Sequence, residues 1–148
     1  MNKLHLVTIS SAFLALSITA SMAHGEATGV VKQRMDAMSA IGDANKSLAS
    51  IARGRMDFDL DTVTSAAATI AKHSGDSLLE LFVEGTDGGD SDAKAEIWQD
   101  WDRFSGIAEE LNLAAVDLSK INSADQFEAA FKTLSSTCGS CHKTFRAK

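Results

Sequence analysis

At 148 residues and 15.7 kDa, with 45% apolar and 23% charged side chains, the chain has the composition of one globular domain, neither a disordered segment nor a multi-span membrane protein. The absence of proline and the presence of only 10 glycines disfavour a turn-rich β design, and a formal charge of −6 argues against a general nucleic-acid or anionic-membrane binder. Two cysteines, close together, exclude a disulfide framework.

Residues 1–23 read as a secretory signal peptide. Lys3 is the only full charge, Leu6 to Ala20 is mostly apolar, and Ser21-Met22-Ala23 offers the small residues a signal peptidase needs. The apolar run is short for a span of about 20 residues and ends in polar sequence, so no membrane span is expected. Cleavage removes Lys3, takes the charge from −6 to −7, and leaves residues 24–148 as a single exported domain in a bacterial periplasm.

Four amphipathic segments follow. From Val31, the positions Met35, Met38, Ile41, Leu48 and Ala52 recur at helical spacings up to Arg53-Gly54, a basic turn with a C-cap glycine. Asp57 or Asp59 can cap a second helix with Val63, Ala67, Ile70, Leu78, Leu81 and Phe82 inward, weakened in its middle by Ser74-Gly75. The polar loop Glu84 to Asp90 is the clearest break in the chain. A third helix is expected from about Ser91 to Ser119, with Ile97, Trp98, Trp101, Phe104, Ile107, Ala108, Leu111, Ala115 and Leu118 on or near one stripe. Ser123 to Gln126 has the form of a capping box and opens a fourth, whose apolar positions Phe127, Phe131, Leu134, Cys138, Cys141 and Phe145 are spaced 4, 3, 4, 3 and 4 apart. Helices of about 25 residues, each roughly 37 Å long, joined by short connections, predict an all-α, antiparallel up-down-up-down four-helix bundle.

Cys138-Gly139-Ser140-Cys141-His142 is C-x-x-C-H, the attachment signature of haem c. On a helix both thiols share one face and can add to the two vinyl groups of one porphyrin, while the adjacent His142 can place its imidazole on the iron. Three rivals fit less well. A redox dithiol normally opens a helix in a βαβ setting, and structural zinc needs four ligands, whereas Cys138 and Cys141 supply two, the adjacent His142 is poorly placed as a third and His73 is a lone candidate. A pair of packed free thiols would be open to oxidation outside the cell. No nucleophile–base pair is legible, and His5 leaves with the leader while His24 becomes N-terminal, so an enzyme is the weakest reading.

A C-terminal C-x-x-C-H on the last helix of such a bundle resembles the cytochrome c′ family, the class II c-type cytochromes. The loop Gly85 to Asp90 followed by Glu96-Ile97-Trp98-Gln99-Asp100, the pair Arg34 and Met38, Arg53-Gly54, and Arg146 four residues after His142 extend the resemblance over the mature chain. It implies thioethers at Cys138 and Cys141, His142 as proximal ligand, Phe82 in the apolar wall of the pocket, and Arg34 near the propionates, with Arg146 close by. Members with an aliphatic or aromatic residue at the position of Met38 leave the iron five-coordinate; low-spin members place a methionine sulfur there. Met38 is thus expected as sixth ligand, the alternative being that it only packs. Met35 is the weaker candidate. Ligation makes the protein an electron carrier between redox-partner proteins, whereas an open iron takes nitric oxide or carbon monoxide. The family also implies a possible homodimer. Finally, the chain after Glu128 has Lys132, Lys143, Arg146 and Lys148 and no acidic side chain, which predicts a positive rim around the haem-binding turn, suited to an anionic partner.

Overall fold

Among the described residues the apolar periodicity is realised as six helices: α1 (Gly29–Ala52), α2 (Leu60–Lys72), α3 (Asp76–Leu79), α4 (Glu96–Gln99), α5 (Trp101–Leu118) and α6 (Ala124–Phe145). The computed structural model describes residues 27–147, so the expected signal peptide (residues 1–23, with Met22), His24 and Lys148 lie outside the described residues. Helix α1 packs on α2, α2 on α5, and α5 on α6, while α1 and α6 meet only sparsely. This is the antiparallel four-helix bundle, with its second and third arms each interrupted. No helix among the described residues is long and apolar enough to cross a membrane.

The interruptions have local causes. Helix α2 is capped by Asp59, not Asp57: its carboxylate accepts from the Thr62 N–H at 2.8 Å. The second arm does not run through to Phe82. Gly75 takes φ 59°, its N–H donates to the Ala108 carbonyl at 3.2 Å, and Asn112 Nδ2 donates to the Ala71 carbonyl and to Ser74 Oγ. Helix α5 thereby satisfies the backbone groups that the break exposes, and a Cβ on Gly75 would lie 3.2 Å from Asn112 Cβ.

The third arm does not begin at Ser91. Residues 92–94 instead run beside the end of α6: the Lys94 N–H donates to the Phe145 carbonyl at 3.0 Å and the Ala147 N–H to the Asp92 carbonyl at 2.8 Å, around an antiparallel bridge between Ala93 and Arg146. A backbone paired in this way cannot also be helical, so α4 starts only at Glu96 and Asp100 separates it from α5. At the start of α6 the Ser123 side chain makes no cap, and Gln126 Oε1 accepts at 2.9 Å from the N–H of Asn122, one residue before the cap, so neither half of the expected box forms.

The core forms two clusters. The first contains Ile41, Leu48, Val63, Ile70, Leu111, Leu118, Phe127 and Leu134 from the four long helices. The second contains Leu78, Phe82, Ile97, Phe104, Ala108 and Phe145, where the short helices and the chain end converge.

Candidate functional site

The two cysteines lie where the clusters meet. Both sit on the inward seam of α6 and both are half-buried; Cys138 packs against the first cluster and Cys141 against the second. On α1, Met38 is half-buried and packs against both. Met38 thus shares the first cluster with Cys138 and the second with Cys141. Met35 does not share this place, being 46% exposed, and Met56 is likewise exposed.

The local chemistry narrows what the motif can do. Burial pushes the Cys138 thiol up, and burial followed by the neighbouring Cys138 pushes Cys141 up to about 11. Both are neutral thiols near pH 7, unlike the activated thiolate of a redox dithiol. They are also not joined in a disulfide. His142, exposed on α6 beside Cys141, has its imidazole held below the ordinary value by partial desolvation and then by the charge of Arg146, which favours the neutral ring with a free lone pair. Among the described residues no three His, Cys, Asp or Glu side chains converge on a common metal point. Two thiols on one helical face, an adjacent neutral imidazole and an incompletely covered seam fit a covalently held haem.

Phe82 is buried in the second cluster, its ring 4.7 Å from that of Phe104, which in turn lies 5.3 Å from Phe145. Arg34 is not a solvated surface charge; it is only 4% exposed. Its guanidinium lies 4.4 Å over the Phe82 ring and donates to the Leu81 carbonyl, to the carbonyl and Oγ1 of Thr86, and to Ser91 Oγ. Desolvation lowers its pKa, with Asp87 opposing that shift. The side chain thus ties α1 to the loop that follows α3.

Arg146 is exposed and donates through Nε and a terminal nitrogen to Asp92 Oδ2 at 3.1 and 2.9 Å. The positive rim expected around the haem-binding turn is therefore interrupted, because Arg146 is met by Asp92, and Lys148 lies outside the described residues. Sequence reading missed this pairing and the buried network of Arg34. It also placed Trp101 inward, whereas the indole is 37% exposed. The clue to Arg34 lay in the run of acceptors Thr86 to Ser91, which the loop composition obscured.

The family model described as Cytochrome C' matches residues 29–146. The chain is 38% identical to cytochrome c-556 of Agrobacterium tumefaciens (strain B2A) over 122 residues, covering 81% of this chain and 98% of that protein. It is 32% identical to a cytochrome c' of Rhodopseudomonas palustris over 123 residues, covering 82% and 84% of the two chains. The solved cytochrome c' structure from Rhodopseudomonas palustris superposes with a TM-score of 0.76 at 31% identity, covering 82% of this chain and 98% of that one. With the bundle, the seam and the C-x-x-C-H turn in agreement, the chain belongs to the cytochrome c′ family, the class II c-type cytochromes, and its prosthetic group is haem c.

Proposed function

We propose that this chain is an exported, periplasmic haem c protein in which Cys138 and Cys141 form the two thioethers, His142 binds the iron from α6, and Met38 faces it from α1. The observation that carries this reading is the shared position of Met38, Cys138 and Cys141 where the two core clusters meet. Bound haem supplies one-electron chemistry and an iron that accepts a sixth ligand. The chain's own residues do the rest. Phe82 gives the site an apolar wall that keeps water away, and Arg34, through the loop it anchors, and Arg146, through Asp92, hold the segments at its edge. The reading assigns no catalysis. The export step rests on residues 1–23, and a homodimer belongs to the same proposal, testable by sedimentation.

Two functions divide on the sixth position. The half-buried place of Met38 favours ligation, and a soft neutral thioether favours ferrous iron in a coordination sphere that changes little on reduction, which suits an electron carrier. Membership in the cytochrome c′ family, with relatives bearing that name, favours the open iron that takes nitric oxide or carbon monoxide, and the comparisons weigh more towards this second function. Visible and near-infrared spectra of the purified protein separate them. A low-spin ferric spectrum with a methionine-to-iron charge-transfer band, converted to high spin by Met38→Ala, establishes the carrier. A high-spin spectrum with uptake of carbon monoxide by the wild-type ferrous protein establishes the gas binder.

A further inference from the structure

Beside the second cluster, Phe82, Glu84, Trp98 and Trp101 line an open concavity of about 320 Å³. Its walls are fixed from within. The Trp98 Nε1–H donates to the Phe82 carbonyl at 3.0 Å, and the Trp101 ring packs 5.6 Å from that of Phe104. Yet Trp101 remains 37% exposed and Val83, at the edge, 52% exposed. Phe82 and Trp98 belong to the cluster against which Cys141 packs, so this surface is continuous with the cofactor site.

The surrounding exposed charge is mainly acidic, although Arg34 is buried behind the Phe82 ring and Arg103 follows Asp102. Residues 80–102 carry eight acidic side chains and a single basic one, Lys94. Asp92, Glu96 and Asp100 are met by Arg146, Lys94 and Arg103, but no ion pair among the described residues reaches Glu84, Asp90 or Asp102. An exposed indole beside an uncompensated carboxylate matches a guanidinium or ammonium group, which the ring face and the carboxylate attract together. Buried aromatic and arginine anchors in a polar rim are also what protein interfaces use.

We propose that this concavity is the docking surface for a basic redox-partner protein, which seats an arginine or lysine side chain on the Trp101 indole beside Glu84. The proposal rests on the haem reading for the partner's redox character, while the contact itself is independent of the iron's spin state. It reverses the polarity that the lysines of α6 suggest. The partner meets acid, not base.

The test titrates isotope-labelled holoprotein with a strongly basic class I cytochrome c, first at low salt and then at physiological ionic strength. The chain has two tryptophans, hence two indole N–H signals, which Trp101→Phe assigns. The Trp101 signal and the amides of Val83 and Glu84 should shift on binding. Glu84→Gln should weaken binding about threefold and Asp90→Asn with Asp102→Asn further, physiological salt should weaken it more, and Lys143→Glu should leave it unchanged. No binding at low salt, shifts centred on Lys132 and Lys143, or wild-type binding by Glu84→Gln would each overturn the proposal. A preparation without covalent haem is seen in the absorption spectrum before any partner is added, so failure of the haem reading is told apart from failure of the docking surface.

Discussion

The two clusters of the core are built by different means. The first is largely aliphatic, with Leu48, Val63, Ile70, Leu118 and Leu134 fully buried between four long helices, and burial alone accounts for it. The second is half aromatic, assembled from the short helices, the start of α5, a loop and the end of α6, and it carries polar ties: the guanidinium of Arg34, the indole N–H of Trp98 and the pairing of residues 92–94 with the end of α6. Met38, Cys138 and Cys141 lie between them. The contrast teaches that the regular half is held mainly by apolar packing, whereas the irregular half adds long-range hydrogen bonds to its packing.

Removing the covalent attachment should have the largest effect. Cys138→Ala with Cys141→Ala should leave little holoprotein, and amide hydrogen exchange should quicken around Phe82, Phe104 and Phe145 well before it does around Leu48 and Ile70. Equal quickening in both clusters would erase the distinction. Truncation within each cluster sharpens it. Leu134→Ala should cost about 2–5 kcal/mol in denaturant unfolding with the haem spectrum retained, whereas Phe104→Ala, at about 3–5 kcal/mol, should also alter the spectrum because its ring backs Phe82 and Phe145.

Arg34→Leu should follow at roughly 2–4 kcal/mol, since it strips the donors from the Leu81 carbonyl, Thr86 and Ser91 in a buried setting. Hydrogen exchange should localise the damage to residues 81–91. The smallest effect concerns the regular half. Hydrogen bonds from the side chain and N–H of Thr62 hold the Asp59 carboxyl below the usual carboxylate range. Its stabilising charge is therefore present at neutral pH and is lost as pH falls through the depressed folded-state value. Asp59→Asn, which keeps an acceptor at the cap, should flatten that part of the acid-unfolding curve while leaving the neutral-pH fold intact.

The same contrast governs what the sequence reveals. Helices α1 and α6 follow from apolar spacing, and Gly54 does take the positive φ expected just past the end of α1, at 64°. The C-x-x-C-H motif that nominates Cys138, Cys141 and His142 is legible because attachment chemistry needs its members close together in sequence. The irregular half was not. Helical periodicity continues through Ser74-Gly75 and Ser91, and only long-range partners, Asn112 and Ala108 for the first and Arg34 and the end of α6 for the second, divert the backbone there. Trp101 falls on the inward stripe by number, but it is the first residue of α5, after the non-helical Asp100, and its indole packs on Phe104 while remaining partly in solvent. Contacts between residues more than 30 apart leave no periodic trace.

The covalent haem at the junction of the two clusters is the central claim, and extraction of the purified, coloured protein with acidified organic solvent tests it most directly. The account predicts that the colour stays with the polypeptide and that its mass exceeds that of the mature chain by one haem. Haem recovered in the organic phase, with a polypeptide of unmodified mass, would contradict it.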